Sequence, residues 1–337
     1  MALNKTEKVD ILNIGLMLLA AVIAMVMPFE TFLFVYAVLG PLHYLTEISW
    51  LHDKQYFVKG KYDSVILVIA AALLALFEIR EQLSITFPIG FNANIVFVAL
   101  LGSVIFFFVQ NNFLKWAGIA LVILTSQVSS NFNLFLTLFI PTIIHVYVFT
   151  MLFMLYGALK SKSRFGLLSV FILLLCPILL FTIFPNTAFY PISEYGIKNY
   201  QNFKYLNILS LTTFFDQPLP DSMDGWSNII FHTKTGILVM RVIAFAYTYH
   251  YFNWFSKTSL IQWHKVPKWR FVAVILIWIA GAALYMIDYT AGYKWLYFLA
   301  FLHVILEFPL NIMSISGIVG HLKGKVMKTA TVRTGGK

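Results

Sequence analysis

Gly40-Pro41-Leu42-His43-Tyr44-Leu45-Thr46-Glu47-Ile48-Ser49-Trp50-Leu51-His52-Asp53-Lys54-Gln55-Tyr56-Phe57 is the stretch on which the reading of this chain turns. It opens inside an apolar run in which His43 and Glu47, one helical turn apart, share a face. It closes in a basic segment that belongs in water. An ionisable pair inside an apolar span is unfavourable and marks a function. The rest of the chain is therefore read by asking what else reaches the depth of His43.

Of the 337 residues, 60% are hydrophobic and 11% charged, with a mean hydropathy of +0.81. Soluble domains carry about 25% charged residues, so the solvent for this surface is a bilayer. The net charge of +10 does not point to nucleic acid, because the basic residues sit in short segments between apolar runs. That is the positive-inside pattern, with attraction to anionic membrane lipids. The lone cysteine, Cys176, excludes intrachain disulfides, multi-cysteine zinc sites and cysteine-ligated iron–sulfur clusters. Lys5 and Lys8 precede the first apolar run without a small-residue cleavage site, so that run is read as a span and not as a removed signal.

Apolar runs of about 15–25 residues place spans near 11–29, 31–50, 64–79, 92–110, 116–130, 131–157, 165–184, 236–255, 271–289 and 295–319. The expected fold is all-α: a polytopic transmembrane helix bundle of about ten spans over residues 1–320. One long outer loop or cap is expected at 185–235, and a basic, flexible cytoplasmic tail at 321–337. The cap holds Pro185, Pro191, Pro218 and Pro220 with several aromatics, which favour order against the bundle. With the N-terminus inside, eighteen of the 24 Lys and Arg fall in inner segments. The other six are Arg80, Lys198, Lys204, Lys234, Arg241 and Lys294. An even number of spans follows, with both termini cytoplasmic, and the pattern fits a bacterial inner membrane. Arg241, near the outer end of its span, is expected to snorkel to the interface.

Depth along each span follows from a rise of about 1.5 Å per residue. From the outer end, His43 lies at roughly 18 Å, His145 and His250 at roughly 21 Å, and His303 and Glu307 at roughly 12 and 18 Å. Four helices thus carry an imidazole near one level. The two carboxylates inside the apolar core each follow a histidine by four residues, in His43-x-x-x-Glu47 and His303-x-x-x-Glu307. Each histidine alone reads as an interhelical hydrogen bond. Together, at one depth and with carboxylates beside them, they read as a metal site built from facing helices. Imidazole suits iron, zinc and copper, and a carboxylate binds directly or orients the ring. A transition metal, Fe(II) first, is the expected cofactor, with zinc or haem left open. Tyr251 joins Glu47 and Glu307 as a candidate catalytic residue. His52, Asp53, His264 and Asn253, toward the cytoplasmic boundary, are candidates for an entrance or second site, set against a reading as interfacial residues.

Zincin, phosphate-loop and nucleophile-elbow motifs are absent, as are the clustered histidine boxes of membrane desaturases. Gly40-Pro41-Leu42-His43 on an early span, with the later single histidines His145, His250 and His303, resembles the Brp/Blh family of membrane β-carotene dioxygenases, although Tyr44 stands where that pattern has Gly. The resemblance implies iron held by histidines and oxygen-dependent cleavage of a carotenoid at its central double bond. The expected function is a membrane metal-dependent oxidoreductase acting on a lipophilic small molecule. The alternative is a transporter or proton-coupled channel using the same residues as a relay.

Overall fold

The computed structural model describes residues 3–58, 60, 62–126, 132–133, 135–182, 186–187, 190–216, 220 and 222–334, with side chains described as far as 324. Among the described residues there is no strand. The helices are α1 (Lys5–Val26), α2 (Pro28–Asp53), α3 (Asp63–Glu78), α4 (Phe91–Phe108), α5 (Asn112–Thr125), α6 (Phe135–Ser161) and α7 (Arg164–Thr182). After them come α8 (Glu194–Asn199), α9 (Lys204–Phe215), α10 (Met223–His232), α11 (Lys234–Ser256), α12 (Thr258–Ile261), α13 (Lys268–Ile287) and α14 (Tyr289–Thr334). Local chemistry sets several ends. Asn4 and Glu7 close a capping box on α1, and Pro28 occupies the first turn of α2, where its missing N–H is not needed.

Among the described residues, seven helices (α1, α2, α4, α6, α7, α13 and α14) are long and apolar enough to cross a membrane. An eighth candidate is α10 with α11, bent by 73°. At that bend Gly236 is required: a Cβ there would come within 2.1 Å of the Ile229 carbonyl oxygen. α3 and α5 are shorter, at 16 and 14 residues, or about 24 and 21 Å against a hydrocarbon core of about 30 Å. Leu18, Leu124, Phe171 and Ile287 turn outward, as lipid-facing surfaces do.

Contacts sort the connecting segments into two groups. One group is joined by Lys5 Nζ to the Ser259 carbonyl (2.6 Å), Arg270 to Asp53 (2.6 Å), Lys115 to Asp63 (2.8 Å) and Ser163 to Asp10 (2.5 Å). His321 and Gly324 line a cavity with Leu159 and Lys162 at that end. The opposite group is joined by Glu30, which accepts from the Ser193 N–H (3.0 Å), the Ser193 hydroxyl (2.5 Å) and the Tyr190 hydroxyl, and by Asn202 to Thr290 (3.2 Å). Both ends of the chain therefore lie on one side of the bundle.

Four helices form a ring at the centre. α2 packs on α11 and α14, and α6 packs on the same two from the other side. α1 and α7 back α11, α3 and α4 back α14, and α13 leans on α2 and α14. Because lipid gives helices no hydrophobic reason to associate, close packing and polar pins hold them. One such pin is buried Asn13, whose side-chain oxygen accepts from Tyr249 (3.2 Å) and Ser256 (3.0 Å) of α11.

The 185–235 segment carries α8, α9 and α10 with a 3-10 turn at Tyr200–Phe203, and its residues 185, 188–189, 217–219 and 221 fall outside the description. Two sequence expectations are corrected. Arg241 does not snorkel: it is fully buried and donates to the Asn186 carbonyl (3.0 Å), a bond that water at the interface cannot better. The tail is helical as far as Thr334, since nothing in 321–334 interrupts α14, and residues 335–337 lie outside the description.

The Asp63–Lys115 pair joins the first turns of α3 and α5, with both side chains about 2% exposed. Lys115→Met strands a buried carboxylate and should lower stability by about 3–5 kcal/mol. Asp63→Asn combined with Lys115→Met should restore most of the loss, as measured by chemical unfolding in a neutral detergent.

Candidate metal centre

His43 of α2, His145 of α6, His250 of α11 and His303 of α14 meet at the middle of the ring, at 1%, 2%, 6% and 3% exposure. One ring nitrogen from each lies within 4.8 Å of all the others. The contacts run in pairs across the ring: His43 Nε2 is 2.9 Å from His250 Nε2, and His145 Nε2 is 3.1 Å from His303 Nε2. Neighbouring rings stand steeply to one another, with centroids 4.6 to 5.3 Å apart.

The outer nitrogens of three rings explain why the inner ones face each other. His250 Nδ1 lies 2.8 Å from Thr150 Oγ1, His303 Nδ1 lies 3.3 Å from the Leu299 carbonyl, and His145 Nδ1 lies 2.8 Å from Glu307 Oε2. The last is a close contact only: neither His145 Nδ1 nor Glu307 Oε2 makes a hydrogen bond. A neutral imidazole has one N–H; where His250 and His303 give theirs through Nδ1, their Nε2 lone pairs face His43 and His145, whose Nδ1 atoms have no hydrogen-bond partner and whose Nε2–H can donate. Each Nε2 pair, at 2.9 or 3.1 Å, is within reach of one shared proton, whose place a metal ion could take. Metal-bound histidines are held in this way through the far nitrogen. Two nitrogens opposite each other on one ion at about 2.1 Å per bond would be about 4.2 Å apart. The facing pairs, at 2.9 and 3.1 Å, would have to open to reach that span, within a group of nitrogens that already lie inside 4.8 Å of one another.

The two carboxylates do different things. Glu47 Oε2 sits 3.1 Å from His43 Nε2, on the inner side, and has no hydrogen bond. It would be a further donor to a metal ion held by the four histidines. Glu307 stands on the outer side of an imidazole and orients it. The expected His303–Glu307 pairing is corrected: Glu307 crosses to His145 on α6, while His303 turns to the carbonyl one turn before it in its own helix.

α6 carries a second feature that spacing concealed. Its first part, Phe135–Phe149, is π-helical around Pro141, and α-helix resumes at Thr150. A π-helix closes i to i+5, which brings His145 and Thr150 to one side, whereas an α-helical reading holds them well apart. Thr150 was therefore not legible as a site residue. Tyr44 stacks on His303 at 4.2 Å and its hydroxyl meets that of Tyr251 at 3.2 Å. Gly40 makes this possible, since a Cβ there would lie 3.0 Å from Tyr44 Oη and 3.2 Å from Tyr251 Oη. Trp254 packs edge-on to His43 at 5.3 Å and donates to Thr46 (3.0 Å).

The boundary candidates separate. His52 pairs with the Tyr56 hydroxyl (3.2 Å), Asp53 with Arg270 (2.6 Å), and His264 packs on Trp263, so these three do not gather into a second site. Asn253 is buried and lines a chamber of about 30 Å³ beside His43, Glu47, His250 and Glu307. On the cap side a different cavity of about 110 Å³ touches His145, His250 and His303, walled by Tyr36, Tyr44, Tyr247, Tyr251 and Tyr293.

The chain matched no protein-family model, no curated protein and no solved structure.

Thr150→Val and Glu307→Gln remove outer supports while keeping all four imidazoles. Each should weaken metal affinity about 10–100-fold, measured by chelator competition on the purified protein, while His43→Ala should abolish tight binding.

Proposed function

We propose that this protein is an integral membrane oxidoreductase in which His43, His145, His250 and His303 hold a transition metal, Fe(II) first among them, and that it acts on a lipophilic substrate such as a carotenoid or another lipid. The observation that carries the reading is the convergence of four buried imidazoles from four helices, one ring nitrogen of each within 4.8 Å of the others, with hydrogen-bond partners behind His250 and His303 and the Glu307 carboxylate beside His145. Four nitrogens with one carboxylate oxygen suit iron, zinc or copper better than hard cations. The close grouping of the rings favours a bare ion over haem, whose macrocycle needs space between its axial ligands. Iron bound there would supply the activation of oxygen.

The protein's own part is positioning and shielding. Glu307, Thr150 and the Leu299 carbonyl fix ring orientation, and Glu47 offsets positive charge from the inner side. The tyrosine-walled cavity against His145, His250 and His303 suits an apolar, conjugated chain, with aromatic faces to pack on and few charges to desolvate. Tyr251 and Tyr44 lie where they can hold a proton or water beside the centre.

The relay reading draws on one specific observation: chambers meet the cluster from two ends, one through His145 and His303, the other through Glu47 and Glu307. Against it, α2 and α14 run unbroken through Pro41 and Pro309, without the interrupted helices of carriers.

Elemental analysis of detergent-purified protein should give about one iron or similar metal per chain, lost in His43→Ala and His303→Ala at unchanged helicity. Iron-loaded wild type should consume oxygen with a polyene substrate, and both variants should not. Metal-free folded protein that resists reconstitution would remove the oxidoreductase reading and leave the relay.

A further inference from the structure

A third cavity, of about 470 Å³, opens at the end of the bundle where the loops after α2, α6 and α11 meet. It shares Phe153, Asn253, Lys257, Ile261 and Leu310 with the small chamber beside Glu47, so the two are neighbours in one passage. Its size falls within the roughly 300–1,000 Å³ of small-molecule sites. Three ammonium groups border it, those of Lys54, Lys160 and Lys257, against one carboxylate, Asp10. Asp10 already accepts from Ser163 at 2.5 Å. None of the three lysines is in ion-pair contact with a carboxylate among the described residues.

Lysines at helix C-termini ordinarily reach out to water and offset the helix dipole. Lys257 instead lies half-buried over the Phe153 ring at 4.9 Å, while Lys160, which is exposed, stands 5.9 Å from the Tyr156 ring. Burial pushes the Lys257 ammonium down to about 8, with Asp10 acting the other way. A desolvated cation of this kind gains by meeting an anion. The remaining wall is apolar, with Trp50, Phe57, Met154 and Leu260 among it.

We infer that this cavity binds an anionic amphiphile, a carboxylate or phosphate head between Lys54, Lys160 and Lys257 with the start of an acyl chain against Phe57, Phe153 and Trp50. The inference stands apart from the metal and its chemistry. The head group can belong to a free fatty acid or to a membrane phospholipid.

The test is equilibrium binding to the full-length protein in a neutral detergent, with radiolabelled oleate and dioleoyl phosphatidylglycerol as charged probes and methyl oleate and dioleoyl phosphatidylcholine as net-neutral ones. A charged probe should bind saturably and at least about tenfold more tightly than its neutral counterpart. Lys160→Met combined with Lys257→Met should lose that preference, while Lys265→Met, an exposed lysine away from the cavity, should keep it. If the double variant does not fold, Lys257→Gln alone serves, with helicity checked beside binding. Preference for oleate identifies a fatty acid, and preference for phosphatidylglycerol identifies a membrane lipid. Equal binding of charged and neutral probes, or an unchanged preference in the variants, overturns the inference.

Discussion

The structure depends on one electrostatic constraint: four imidazoles, nearly free of water, turn their ring nitrogens toward a common point. In a low-dielectric interior a buried polar group without a partner costs about 1–3 kcal/mol. The arrangement persists because other groups over-determine it. Thr150 and the Leu299 carbonyl hold His250 and His303 from behind, Glu307 stands against His145, and Tyr44 packs flat on His303 as well. Each of these supports comes from a helix whose rotation is thereby fixed.

The rest of the bundle serves that ring. α1, α3, α4, α7 and α13 form a partial outer layer that presents apolar side chains to lipid and small or polar ones inward. Pins such as Asn13 to Tyr249 and Lys115 to Asp63 hold this layer where apolar burial offers little net drive. The cap is tied down at Glu30, which gathers Tyr190 and Ser193 at the opposite end from the lysine-bordered cavity. The centre is consequently asymmetric. It meets tyrosines and apolar walls toward the cap, and carboxylates, Asn253 and Lys257 toward the other end.

That asymmetry gives Glu47 and Glu307 separate work, although both follow a histidine by four residues. Glu47 stays beside His43 of its own helix and faces inward, whereas Glu307 reaches across to α6. An i,i+4 spacing says that two side chains share a face, but a long carboxylate chooses among all the partners that face meets. The π-helical stretch before Thr150 makes the same point, since it changes which residues of α6 are aligned.

The sequence by itself determined the class and the ingredients. Hydropathy and the scarcity of charge established a helical membrane bundle, because backbone groups in hydrocarbon must be satisfied within each segment. A fixed rise per residue put His43, His145, His250 and His303 near one depth. Rotation about each helix axis, the choice of neighbours and the helical period itself were decided only by tertiary packing, since none of them leaves a mark on spacing within one strand of sequence. Hence Glu307's partner, the support from Thr150, the burial of Arg241 and the separation of His52, Asp53 and His264 from the centre emerged only when the helices were set against one another.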